Sequence, residues 1–295
     1  MDAPFVSIIV PTLNRPDFLR QTLSCIQQQT YRAFEVIVVD QSTPARPTQC
    51  ADIPDFRYFH LPKQNLPAAR NLGISNTRGS IVLFLDDDVS FGPLLAAAHV
   101  RAHAANPGAG AVTGRIRLNP PHFYPPQKTY ALLDPKSGKY SANCDLDAAG
   151  FVTCMSGCNM SLKKKALDAV GPFDANYRGN ALYEEIDFSL RLTRKGFHIW
   201  FEPAASLTHF RADNGGCRAS AGTAYLRAKF RNTGYFFSKN LSLLPGPAFF
   251  IALKNEIEFY TREKEGGHRL GEALLHFFSA CRGLARGALK RLSGL

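Results

Sequence analysis

Five consecutive apolar residues, Ile81 to Leu85, run directly into three aspartates, Asp86, Asp87 and Asp88. A short apolar run bounded by polar residues reads as a strand buried on both faces. Such strands belong to mainly parallel sheets covered by helices. The acids then stand at the strand's carboxyl end, the edge where open α/β sheets take their ligands. Crowded carboxylates raise one another's pKa unless a cation or hydrogen-bond donors offset the repulsion. Hard oxygen ligands grouped in this way suit Mg²⁺ or Mn²⁺, ions that keep water and bind substrate phosphates. A solvated acidic turn is the plainer alternative.

The neighbouring sequence repeats the pattern. Val6 to Val10 is apolar and stops at Pro11; a helix is predicted from Pro16, with Leu19, Leu23 and Ile26 at helical spacing; Phe34 to Val39 is a second strand ending at Asp40. This is a βαβ unit, whose crossover should be right-handed. Further strands are predicted at 56–60, near 111–117, at 151–162 and at 197–201. Helices are predicted at 68–76, 163–170 and 184–195, and from residue 221 onward. The Pro- and Gly-rich part of 106–147 reads as a long loop or lid. The fold class is therefore α/β. One domain is predicted over 1–220, with a nucleotide-binding half at about 1–110 and an acceptor half at about 111–220. A basic helical extension follows at 221–295.

Composition narrows the partners. A net charge of +11 favours an acidic partner such as nucleotide phosphate, anionic lipid or nucleic acid. No nucleic-acid module or aromatic-basic repeat is present, which argues against nucleic acid. The N-terminus lacks the pattern of a signal peptide, and no 18-residue apolar stretch exists. Seven scattered cysteines without a C-x-x-C pair point to a reducing, cytoplasmic compartment, with Cys154 and Cys158 as buried thiols. His99 and His103, four apart, are expected on a helix surface.

Eight segments occur in a telling order: VSIIVPTLNR (Val6–Arg15), VIVVDQST (Val36–Thr43), NLPAARNLGI (Asn65–Ile74), FLDDDV (Phe84–Val89), SGCNMSLKKKAL (Ser156–Leu167), GPFD (Gly171–Asp174), YEEIDFSLRL (Tyr183–Leu192) and His209. Together they resemble the family 2 glycosyltransferases of GT-A fold. That resemblance implies transfer of a sugar from a nucleotide-sugar donor, with inversion and a divalent metal. By resemblance, Asp88 coordinates the metal, Asp86 joins it or contacts ribose, and His209 completes the site. Asp40 recognises the base of the nucleotide.

Other roles follow from residue chemistry as well. Pro11, Thr12, Asn14 and Arg15 lie where hydroxyl, amide and guanidinium can contact a nucleoside and its phosphates. Arg70 can pair with Asp86 or Asp87 and hold the acids. Glu185 stands at the base position, where the family usually has Asp; Glu184 and Asp187 are the other carboxylates available. An Asp187–Arg191 pair is expected at i,i+4 spacing. Ser156, Gly157 and Asn159 resemble the sugar and acceptor segment. The RADNGGCR stretch (Arg211–Arg218) reads as a flexible loop able to close over the diphosphate, with Arg218 a candidate phosphate contact.

Two other classes stay open here. A nucleotidyltransferase would carry a Gly-rich phosphate loop after its first strand, unlike PTLNRP. A non-catalytic binder of nucleotide sugars or glycans would fit the replacement at Glu185. In the tail, twelve Lys/Arg against five Asp/Glu follow Ala221, and Leu270, Leu274, Phe277, Phe278, Cys281, Leu284, Ala288 and Leu292 recur at helical spacing. Such a basic amphipathic helix over 268–295 either rests on an anionic membrane or packs on the protein.

Overall fold

A computed structural model describes residues 3–48, 52–53, 55–121, 130–134, 140–212, 214–218, 223–244, 250–251, 254 and 269–292. The chain runs β1 (Val6–Thr12), α1 (Pro16–Gln27), β2 (Phe34–Asp40), β3 (Phe56–His60), α2 (Leu66–Ser75), β4 (Ile81–Leu85), β5 (Val89–Phe91) and α3 (Leu95–Ala105). It continues with β6 (Ala109–Leu118), β7 (Ala131–Leu133), β8 (Tyr140–Ala142), β9 (Gly150–Val152), β10 (Asn159–Lys163), α4 (Lys164–Val170), α5 (Glu184–Arg194), β11 (His198–His209), α6 (Thr223–Lys239) and α7 (Arg269–Leu292).

Nine strands form one mixed sheet in the order β3-β2-β1-β4-β10-β6-β11-β5, with β9 on β11. The strands from β3 to β4 are parallel. Every residue of β1, β2 and β4 is buried, which is why these strands read as unbroken apolar runs rather than alternating ones. Leu19, Leu23 and Ile26 of α1 are buried against this half, as their spacing requires.

Four expectations need correction. First, β1 does not stop at Pro11 but continues to Thr12, in register with Asp40. Its pairing with β4 ends at Ile9, so the proline falls where no ladder bond to β4 is needed. Second, 151–162 is not one strand: β9 and β10 flank a turn. Third, the strand predicted to end at Phe201 extends to His209. It pairs in parallel with β6, shifts register between Glu202 and Leu207, and then pairs with β5 so that His209 lies opposite Val89. Fourth, His99 and His103 face inward from α3, at 1% and 4% exposure. β10 presents Asn159 and Ser161 to them, and polar residues supplied from the sheet make the burial tolerable.

The chain divides into two compact units. The first comprises Met1–Leu132, Ala142–Ala175 and Glu185–Ala219 and holds the sheet. The second comprises Leu133–Ser141, Asn176–Glu184 and Ser220–Leu295. In it α6 and α7 meet at small residues: a side chain at Gly283 would begin 2.0 Å from the Arg231 carbonyl oxygen, and Ala280 is fully buried. The side chains of Leu270, Leu274, Phe277, Phe278 and Leu292 lie outside the described residues. Among the described helices none is long and apolar enough to cross a membrane.

Candidate active site

Parallel strands whose carboxyl ends line one edge create a crevice there. β4 ends at Leu85 and hands over Asp86, Asp87 and Asp88 to that edge, and the β11–β5 pairing sets His209 beside them. Asp86, Asp88 and His209 each offer a ligand atom, and these atoms lie within 4.8 Å of one another. His209 Nε2 stands 3.1 Å from Asp88 Oδ1 and 3.9 Å from Asp86 Oδ2. Asp88 Oδ1 is buried yet accepts no aligned hydrogen bond. An imidazole nitrogen beside two carboxylates, with the buried Asp88 Oδ1 turned toward it, fits a small divalent ion of the Mn²⁺ or Mg²⁺ type.

The remaining acid oxygens are held by the protein. Asp88 Oδ2 accepts the Ala212 N–H at 2.8 Å and meets Arg15 Nη1 at 3.1 Å. Burial works against ionisation of Asp88, but His209, Arg15 and the Ala212 N–H outweigh it and bring its pKa down to about 2. Asp87 turns away from the crevice, accepting from Thr12 at 2.7 Å and Arg15 at 3.0 Å. Burial lifts its pKa to about 7 despite those donors.

On the other side of Asp86 lies Arg70, at 3.8 Å from Oδ1, buried and stacked over Phe173. A side chain at Gly157 would begin 2.3 Å from Arg70 Nη2, so this glycine makes room for the guanidinium. Glu185, in the first turn of α5, is partly buried. Burial raises its pKa, Arg70 opposes the rise, and Asp86 adds to it. The three groups thus share one electrostatic neighbourhood. The Cys217 thiol belongs to it too: burial pushes it up to about 12, with Asp86 and Glu185 raising it and Arg70 and Arg15 opposing. Sequence reading overlooked Cys217, whose signal was only its place after two glycines.

Several candidate residues stand elsewhere. Asn159 is fully buried: Nδ2 donates to the carbonyls of Arg115 and Ala205, and Oδ1 faces His99. It therefore braces the sheet. Asp187 is fully buried and bonded to Arg191, the pair its spacing foretold. Glu184 is buried at the start of α5. Asp40 is also buried; it accepts the N–H groups of Ser42 and Arg46 and the Tyr58 hydroxyl, which orders its own strand-end turn. Pro11 is buried within β1, whereas Asn14 is exposed with φ 56° and Ser156 is partly exposed. The Arg218 side chain lies outside the described residues.

A helix-flanked, largely parallel sheet with carboxylates and an imidazole gathered at its strand ends is the architecture of the GT-A glycosyltransferases. Two solved structures share it. GalNAc-T7 with UDP, GalNAc and Mn²⁺ matches at TM-score 0.59 and 13% identity, over 96% of this chain and 56% of that one. The mannosyltransferase PcManGT from Pyrobaculum calidifontis, in complex with GDP-Man and Mn²⁺, matches at 0.57 and 16%, over 99% and 88%. The description of glycosyl transferase family 2 fits residues 7–171, more than half of the chain, and the chain belongs to that family. The succinoglycan biosynthesis protein ExoM of Rhizobium meliloti is 28% identical over 211 residues, 68% of this chain and 65% of ExoM. Glycosyltransferases of Rickettsia felis and Streptococcus pneumoniae, matched at 33% and 39% identity over 29% and 28% of this chain, are spanned over only 15% and 13% of their own length.

Proposed function

We propose that the enzyme transfers a sugar, with inversion at the anomeric carbon, from a UDP-sugar to a hydroxyl group on a glycan, glycolipid or cell-envelope polymer. One observation carries this reading: the convergence of Asp86, Asp88 and His209 next to Arg70 and Glu185. A divalent ion bound by the first three would supply positive charge for a nucleoside diphosphate leaving without a proton. Asp88 and His209 would hold that ion, and Asp86 would join them or meet the ribose. Arg70 steadies Asp86. Glu185 takes the proton of the acceptor hydroxyl. Thr12 and Arg15 are committed to Asp87, so nucleoside contacts fall to Asn14 and the neighbouring backbone, with Asp40 and Arg218 as further candidates. The ligands named with the two related structures are a nucleoside diphosphate and a nucleoside-diphosphate sugar, and the name of ExoM supports a polysaccharide acceptor.

Thermal melting tests the metal and donor together, because a ligand bound at about 100 times its Kd stabilises the fold by about 2.7 kcal/mol. UDP and UDP-sugars should raise the Tm with Mn²⁺ present. The rise should vanish with EDTA and in Asp88→Ala, and GDP and dTDP should do less. An equal rise in EDTA would overturn the metal; a larger rise with GDP would move the donor.

Residues 268–295 add a proposed contact with the inner face of an anionic membrane. Its support is the excess of basic residues after Ala221. The full chain should then pellet with vesicles containing anionic lipid and stay in solution with neutral ones; equal pelleting removes the idea.

A further inference from the structure

We infer that Arg15 is a positioning residue that latches the chain at Ala212 and Asn214–Cys217 onto the acids and so presets Asp88 for the donor's diphosphate. The inference deepens the metal reading above and rests on it.

A guanidinium has five N–H donors in a fixed fork and no acceptor. Each nitrogen of Arg15 is taken up by protein partners. Nε donates to the Asn214 carbonyl at 2.6 Å. Nη1 serves Asp87 Oδ1 at 3.0 Å and Asp88 Oδ2 at 3.1 Å. Nη2 donates to the carbonyls of Ala212 at 3.0 Å and Gly215 at 3.2 Å. No donor is left for a phosphate, and the side chain is only 7% exposed.

The backbone around it is shaped to fit. Gly215 and Gly216 take φ values of +64° and +53°, which other residues adopt at a cost. A side chain at Gly216 would begin 2.6 Å from the Arg15 guanidinium, and one at Gly215 would begin 2.6 Å from the Leu13 carbonyl oxygen. The Gly216 N–H donates to that same Leu13 oxygen at 2.9 Å. The chain thus wraps the guanidinium too closely for any Cβ.

The consequence reaches Asp88. Arg15 and the Ala212 N–H together hold Oδ2, and the Phe210 N–H donates to the Asp88 carbonyl at 2.9 Å. That fixes the carboxylate with Oδ1 turned toward His209. The glycine loop, which the sequence suggests is free to swing, is tethered by the residue expected to bind phosphate. A lysine at position 15 keeps the charge for Asp87 and Asp88 but lacks the fork to reach three carbonyls as well.

The test uses Arg15→Lys and Gly216→Ala in the full chain, with three measurements. In metal-free protein, amide exchange across 212–217 should rise roughly tenfold in both variants. Mn²⁺ affinity without donor, read by EPR, should weaken about 10- to 100-fold, the usual loss when a group orienting a metal ligand is removed. In turnover, kcat should fall along with donor affinity. A direct phosphate contact would behave otherwise: Arg15→Lys would raise donor KM while loop exchange and Mn²⁺ affinity stayed at wild-type values, and that result overturns the latch. Should Arg15→Lys fail to fold, Gly216→Ala, which keeps the arginine, decides the matter. If wild-type protein binds no Mn²⁺, the proposed function fails, while the exchange measurement still judges the latch.

Discussion

Exchanging Glu185 for Gln should leave the fold, the Mn²⁺ affinity and the donor-induced rise in Tm unchanged and lower sugar transfer by on the order of 10²- to 10⁴-fold. Gln matches Glu in shape but cannot accept a proton. The surroundings of Glu185 favour a general base. Burial raises its pKa and Arg70 checks the rise, keeping a carboxylate that is a stronger base than a free one. The two nearby acids are more deeply buried. Asp187 is fully buried and bonded to Arg191, and Glu184 is 2% exposed. Steady-state transfer from a UDP-sugar, measured beside donor binding, checks this. A Glu185→Gln enzyme with near-normal kcat would end the assignment.

Acid should destabilise the protein before Asp40 and Glu35, whose pKa values lie below the usual range, begin to protonate. The hydrogen-bond order around the α3 histidines fixes their tautomers. Asn159 Nδ2 donates to two carbonyls, so Oδ1 accepts from His99 Nε2 at 2.9 Å. His99 Nδ1 then accepts from the Ser161 hydroxyl, whose oxygen accepts from His103 Nε2, both at 2.9 Å. Both rings are neutral. Burial above all lowers their pKa values, to about 4 for His99 and about 3 for His103, from 6.5. The sign follows from linkage. Below pH 6.5 the unfolded chain takes up protons that the folded chain refuses, so stability falls with pH until the folded values near 4 and 3 are reached. At about pH 5 each histidine costs about 2 kcal/mol, or about 4 kcal/mol for the pair, a large part of a typical domain's stability. Asp87, raised to about 7, works the other way and offsets part of this loss, whereas Asp40 and Glu35, whose pKa values are held below the usual range, lose their contribution only at lower pH. Calorimetry should therefore show a net fall in Tm between about pH 6.5 and 5. His99→Gln/His103→Gln should flatten that slope, and a flat wild-type profile would contradict the burial.

Much of the catalytic unit was legible in the residue order. Ile81–Leu85, Phe34–Val39 and the α1 stripe announce a parallel sheet because burial on two faces, or on one helical stripe, leaves a periodic mark along the chain. The Asp86–Asp88 cluster and His209 could be paired only through resemblance, since the long stretch between them carries no signal of β11 turning back onto β5. The protein contacts of two candidate residues could not be read from the sequence. Arg15 and Asn159 are polar residues near a site, and their residue type does not say which way they point. Asn159 is spent on Arg115, Ala205 and His99, and Arg15 on Asp87, Asp88 and three carbonyls.

By itself, then, the order of amino acids determined the α/β class, the strand ends at which ligand chemistry gathers and the acid cluster placed there, because hydrophobic periodicity is a local property. Only the tertiary structure decided that Asp87 faces inward while Asp88 faces His209, that the helix-borne histidines are core residues, and that a glycine loop near residue 215 closes on an arginine at position 15. Those outcomes depend on which surfaces pack together, and packing between residues as far apart as Arg15 and Gly215 leaves no trace in spacing.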